Sequence, residues 1–205
     1  MNSIEKLTEL FRGFPGIGPR QAKRFVYHLL GQQPSYLERF VRLVGDIKRE
    51  VCVCSSCFRL FNDSGKAALC RICSDDGRDQ SVVMVVEKDI DLESMERSRA
   101  YNGLYFVLGG TVAILEKEPE KTVRSEELLT HLEKSLKKAG LKEIILAFSV
   151  NAEGENTAEY IASILKPLQE KNGFKISTLG RGLSTGSEVE YADSETLRSA
   201  LKNRL

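Results

Sequence analysis

Two short cysteine pairs constrain this chain more than any other feature. Cys54-Ser55-Ser56-Cys57 and Cys70-Arg71-Ile72-Cys73 stand twelve residues apart. A two-residue gap lets each pair close a tight turn with both sulfurs aimed at one point. Two such turns at this separation supply four thiolates for one tetrahedral zinc. The ion clips the turns together, and its binding energy becomes folding energy. Disulfides need an oxidising compartment, and the stretch after Met1 has no secretory pattern, so the expected location is cytoplasmic. A thioredoxin-type site uses one CxxC at a helix start, not two matched pairs. A catalytic zinc keeps an open position and favours His ligands, and both His28 and His131 are remote in sequence from the pairs. Cys54, Cys57, Cys70 and Cys73 are therefore read as the ligands of one structural Zn2+ per chain. Cys52 is read as a flanking residue.

The pairs separate two stretches of opposite character. Residues 1–49 hold nine Lys/Arg against four Asp/Glu, a surplus of five, while the whole chain carries +1, which leaves −4 for the rest. A basic head on an acidic body suggests that the head meets a polyanion. No apolar run approaches the roughly 20 residues of a membrane helix, so no membrane partner is expected.

In the head, Ser3 is expected to cap a helix carrying Ile4, Leu7, Leu10 and Phe11, ended by Gly13. Phe14-Pro15-Gly16-Ile17-Gly18-Pro19 then leads into a helix from about Arg20 to Leu30, apolar at Ala22, Phe25, Val26, Leu29 and Leu30. Gly16 and Gly18 can take positive φ and leave bare amides, which together with the helix N-terminus form a phosphate cradle. Arg20, Lys23 and Arg24 flank it. This is the pattern of a helix-hairpin-helix, which grips nucleic-acid backbone without reading bases. A third helix, about Ser35 to Arg49, carries Leu37, Phe40, Val41, Val44 and Ile47 and is expected to complete a small helical unit.

The body alternates strand and helix. Ser81 to Glu87 is a continuous β-branched run, the mark of a parallel strand buried on both faces. Further strands are expected at Leu104–Leu108, Glu143–Phe148 and Phe174–Ser177. Helices are expected at Asp89–Arg99, at Ser125–Ala139 with Ser125 as cap, from Glu153 to about Lys171, and from Ser194 to about Asn203. Glu87 ends the first strand, where open α/β sheets bind ligands.

A strand ending in Glu87 and the later Glu153-Gly154-Glu155 resemble a Toprim domain, the Rossmann-like α/β module of topoisomerases and primases. In that domain a Glu and an Asp-x-Asp hold magnesium. Here Ser149-Val150-Asn151 follows the third strand, and no aspartate pair is present. The order of parts, hairpin, cysteine knuckle, Toprim domain and the glycine-rich run Gly182 to Asp193, is similar to the RecR family of bacterial recombination mediators across the whole chain. The resemblance implies an α/β multidomain chain in four parts: a helix-hairpin-helix over 1–50, a four-cysteine zinc finger over 51–76, a Toprim domain over 80–178 and a C-terminal oligomerisation segment with its tail helix over 179–205. It implies a non-enzymatic clamp, a ring-like homo-oligomer, tetrameric or dimeric, that binds DNA without sequence preference. It also implies action with RecO and RecF to load RecA onto gapped DNA. Arg20 and Arg24 match the family's DNA-contacting cations, and Glu87, Glu153 and Glu155 match the acids associated with RecO. The alternative is a Toprim-type magnesium-dependent nuclease or primase-like enzyme, which needs several converging carboxylates.

Overall fold

The computed structural model describes residues 1–62, 67–180, 182, 183, 186 and 188–203. Contacts divide the chain into two compact units: Met1–Cys52 with Asn62, and a second that holds Val53–Phe61 together with the α/β body.

The first unit is helical: α1 (Ser3–Arg12), α2 (Pro19–Leu30) and α3 (Pro34–Glu50). The cap of α1 is Asn2, not Ser3. The Asn2 side chain accepts from the Glu5 N–H, and the Glu5 carboxylate accepts from the Asn2 N–H, both at 2.9 Å. α1 and α2 pack through Phe11 and Phe25, whose rings meet edge-on at 5.6 Å, and bury Ala22 and Val26. α3 does not complete a core. None of its residues is buried, and Val41, Val44 and Ile47 are more than half exposed. The apolar stripe is real, but none of the described residues covers it.

β1 (Val51–Val53) and β2 (Leu60–Asn62) form a two-stranded ribbon; the sequence pattern announces neither strand. The main sheet comprises β3 (Asp79–Val86), β4 (Gly103–Val107), β5 (Glu143–Ala147) and β6 (Lys175–Thr178), ordered β4-β3-β5-β6 and parallel throughout. α4 (Asp89–Ser98), α5 (Ser125–Ala139), α6 (Ala152–Asn172) and α7 (Ser194–Lys202) complete it, with short 3-10 turns at Pro119–Lys121 and Val189–Tyr191. Ser125 is not a side-chain cap: the cap position is Arg124, and Ser125 is the buried first residue of α5. Of the glycine-rich run after Gly182, residues Ser184, Thr185 and Ser187 lie outside the described residues.

The β3 run is buried on both faces because two different layers cover it. Val83 and Val85 point into a core with Leu128 and Leu132 of α5 and Ile161 and Leu165 of α6. Met84 and Val86 point the other way, into a core with Leu92 of α4 and with Cys54, Cys57, Cys70 and Ile72. The cysteine knuckle is thus a layer of the α/β unit, packed on the sheet beside α4. The sequence pattern, which has the cysteine pairs separating two stretches of opposite character, does not announce this packing. The apolar residues on the knuckle's own surface, above all Ile72 at 1% exposure, account for it.

Candidate metal centre and nucleic-acid interface

The knuckle is built by its backbone. The Phe58 N–H donates to the Cys54 carbonyl at 3.0 Å, closing the first turn, and the Ser74 N–H does the same for Cys70 at 3.1 Å. Phe58 takes a left-handed conformation with φ 61°, unfavourable for an aromatic residue. Its ring offsets that by packing on Phe106 at 5.4 Å and under the Arg124 guanidinium at 5.5 Å. The Cys57 carbonyl accepts from the Val107 N–H at 2.8 Å, tying the knuckle to the end of β4.

The four sulfurs of Cys54, Cys57, Cys70 and Cys73 lie within 4.8 Å of one another, so they can hold a metal ion. Cys57 and Cys70 Sγ are 3.6 Å apart, and the Cys70 N–H donates to Cys54 Sγ at 3.3 Å. Hydrogen bonds from Cys57, then Cys70 and Cys73, hold Cys54 well below the usual thiol range, while the same exchange with Cys54 first pushes Cys57 up. Cys52 is not in the cluster. His131, remote in sequence, does come to the knuckle's edge. Its Nδ1 lies 3.4 Å from Ser56 Oγ, and burial pushes its pKa down to about 4. Only the fold of α5 onto the knuckle reveals that neighbour.

The hairpin turn is a proline-glycine turn. The Ile17 N–H donates to the Phe14 carbonyl at 3.1 Å, with Pro15 and Gly16 at the corners. Gly16 takes φ 75°, as a type II turn demands of its third residue. Gly18 does not take positive φ; it is the cap residue of α2, extended at φ −79°. α2 has no side-chain cap and no acid in its first turn, so its first amides stay open. Arg20, Lys23 and Arg24 are exposed, and among the described residues none has a carboxylate within 4.0 Å. The same face continues through Tyr27, 54% exposed, and His28. Residues 20, 23, 24, 27 and 28 follow helical spacing, a signal present in the sequence although only its cations stand out there.

The Toprim acids do not converge. Glu87 is 5% exposed, and its Oε1 accepts the Ser149 N–H at 2.6 Å. That bond spans β3 and β5, where the strand order reverses and such sheets usually open a ligand crevice. Glu153 and Glu155 are exposed on the first turn of α6, and Glu153 Oε2 accepts from Thr111 Oγ1 at 3.3 Å. Asn151 caps α6 by accepting the Gly154 N–H at 2.8 Å. Between the two acids Gly154 is buried, and a Cβ there would sit 2.0 Å from the Ser149 carbonyl oxygen. The Glu-Gly-Glu string is therefore fixed by close packing in its centre. Among the described residues, the only group of three or more His, Cys, Asp or Glu side chains with converging ligand atoms is the four cysteines.

A helical hairpin with an open, cation-flanked turn, joined to a parallel α/β unit with a four-cysteine knuckle in its layers, defines a Toprim-containing protein of nucleic-acid metabolism. Family models agree part by part: "RecR, helix-hairpin-helix" matches residues 4–45, "Toprim domain" residues 81–180 and "RecR, C-terminal" residues 182–205. Curated relatives called "Recombination protein RecR" from Staphylococcus haemolyticus, Staphylococcus saprophyticus and Staphylococcus aureus are each 38% identical over 201 residues, covering 98% of this chain and 96% of theirs. The chain belongs to the RecR family of recombination mediators. No helix among the described residues is long and apolar enough to cross a membrane.

Proposed function

We propose that this protein is a non-enzymatic DNA clamp in recombinational repair, acting with RecO and RecF to load RecA onto gapped or single-stranded DNA. The exposed cation stripe of α2, without carboxylate partners among the described residues and beside a helix N-terminus that has no side-chain cap, carries the DNA-binding part of this reading. Arg20, Lys23 and Arg24 meet phosphates, with the amides around Gly16 and Gly18 as the cradle. Phosphate contacts carry no sequence information, so binding through them is electrostatic and indifferent to sequence.

The four thiolates hold one Zn2+. A tetrahedral ion with bonds of about 2.3 Å separates its sulfurs by about 3.8 Å, which the 3.6 Å Cys57–Cys70 spacing accommodates. Its role is structural, since all four positions are protein sulfur and three of those cysteines are buried.

The Toprim centre supports docking over catalysis. Phosphoryl chemistry needs converging carboxylates, and Glu87 instead satisfies the Ser149 backbone amide in the loop after β5. Glu153 and Glu155 remain as an exposed acidic edge for a basic partner such as RecO. Glu87 acts behind it, by fixing the loop that precedes α6. The exposed stripe of α3 supports a closed homo-oligomer, a tetrameric ring or dimer, in which several weak phosphate sites act together.

The decisive assay is RecA-driven strand exchange on gapped DNA covered by single-strand-binding protein, with RecO and RecF present. The expected result is exchange that depends on this protein and is lost in Arg20→Ala/Arg24→Ala. Nicking or relaxation of plasmid by the protein with magnesium alone would instead establish the enzyme.

A further inference from the structure

A second cationic surface lies far along the sequence from the hairpin. Arg59 follows the first cysteine turn, Arg71 sits inside the second, and Arg97 and Arg99 end α4. The four line one concavity of about 470 Å³ together with Leu92, Glu93 and Glu96. We propose that Arg59, Arg71, Arg97 and Arg99 form a second phosphate-binding surface that holds DNA against the cysteine-knuckle side of the α/β unit. The proposal rests on the DNA-binding role argued above.

Charge is the first support. Glu96 is already engaged: Arg78 grips it bidentately, at 2.7 Å and 2.5 Å. Glu93 then stands alone against four guanidinium groups, in the part of the chain whose net charge is −4. A local cationic surface on an acidic body is not explained by composition. All four cations are arginine, whose planar fork suits phosphate oxygens. Arg59 Nε is buried without a hydrogen-bond partner, so this guanidinium is not neutralised at that nitrogen by a neighbouring acceptor.

Backbone strain is the second, independent support. α4 ends on Arg99 in the left-handed conformation, φ 55° and ψ 19°. Glycine is the residue that suits this cap position, and a long side chain there costs free energy. The cost has a use if the guanidinium is needed at this site.

The lining also discriminates between polyanions. Its one apolar member, Leu92, is 0% exposed, so there is no pocket to anchor an acidic peptide. A phosphate backbone needs none.

The test uses the full-length, metal-loaded protein and fluorescein-labelled oligonucleotides read by anisotropy across a salt series. Arg97→Ala/Arg99→Gly is expected to weaken DNA binding about tenfold and to lower the slope of log K against log salt by about 1–2 on duplex, from roughly 0.9 per phosphate contact. Arg99→Gly alone is expected to raise the thermal midpoint, or leave it unchanged, while still losing affinity. Unchanged affinity and slope in the double variant overturn the proposal. So does an Arg99→Gly whose affinity falls only in step with lost thermal stability. Binding of poly-glutamate that these variants abolish, with DNA affinity intact, assigns the surface to protein and likewise overturns it. Arg20→Ala/Arg24→Ala separates the two ideas: loss there with none in the arginine variants sinks only this surface, whereas a native protein that binds no DNA sinks the DNA-binding role itself.

Discussion

The two units treat apolar side chains in opposite ways. In the α/β unit both faces of β3 are covered, one by α5 and α6 and the other by α4 and the cysteine knuckle. In the helical unit, Ala22 and Val26 are the only fully buried apolar residues among those described, while α3 exposes Phe40, Val41, Leu43, Val44 and Ile47. Burying a valine contributes roughly 1.5–3 kcal/mol, too little to order three helices against their chain entropy. The α/β unit is a finished core. The helical unit leaves its surfaces open: the apolar stripe of α3, proposed to meet a second copy, and the cations of α2, proposed to meet DNA.

The knuckle is where this contrast breaks most readily. Cys70→Ser should release the metal and unfold the layer over Met84 and Val86, because a structural zinc contributes on the order of 10 kcal/mol in small modules. Metal content and thermal unfolding read the effect, and Cys52→Ser should change neither. If Cys70→Ser leaves the sheet's unfolding transition intact, the knuckle is an appendage and not a layer.

A smaller break lies at the start of α6. Gly154→Ala drives a methyl into the Ser149 carbonyl, at 2.0 Å before relaxation, and should cost about 1–3 kcal/mol. A lowered urea midpoint with unchanged metal content is the expected outcome.

The Arg78–Glu96 pair offers a pH test within the same unit. The Arg78 guanidinium holds the Glu96 carboxyl below its usual range near 4.5. The native state therefore gains stability above that pH, and the gain is lost as the pH falls further and the carboxyl protonates. Glu96→Gln should cost about 1–3 kcal/mol at pH 7 and flatten the acid limb of the stability profile. An acid limb unchanged by the substitution would place the sensitivity in other groups.

Least costly to folding, and most telling about the helical unit, is Val44→Glu. With Val44 57% exposed, the chain itself should keep its stability to within about 0.5 kcal/mol. Light scattering should show the assembly reduced in mass. A variant that unfolds α3 but leaves the assembly whole would reverse the roles assigned to the two units.

Much of this was legible in the sequence, for stated physical reasons. The CxxC spacing, the β-branched run before Glu87 and the Pro-Gly turn each admit few conformations, and the structure has them. The covering of α3 was not legible, because helical periodicity says that a face is apolar but not what meets it. The knuckle's place as a sheet layer depends on Ile72 and on the Cys57 carbonyl bond to Val107, which are long-range contacts with no local signature. The burial of Glu87 was hidden for the same reason. A strand-end carboxylate reads as a ligand until its partner, the Ser149 amide, is brought alongside by β5. Gly18 misled differently: its neighbours suggest positive φ, yet a helix cap needs only extended backbone.

The central claim is that the exposed α2 face grips DNA by charge alone. The most direct measurement is the salt dependence of DNA affinity for the native protein and for Arg20→Ala/Arg24→Ala, on two unrelated duplex sequences. The expected result is one steep line shared by both sequences, flattened by about 2 in slope in the variant, from roughly 0.9 per lost phosphate contact. An affinity that ignores salt, or that follows one sequence and not the other, would contradict it.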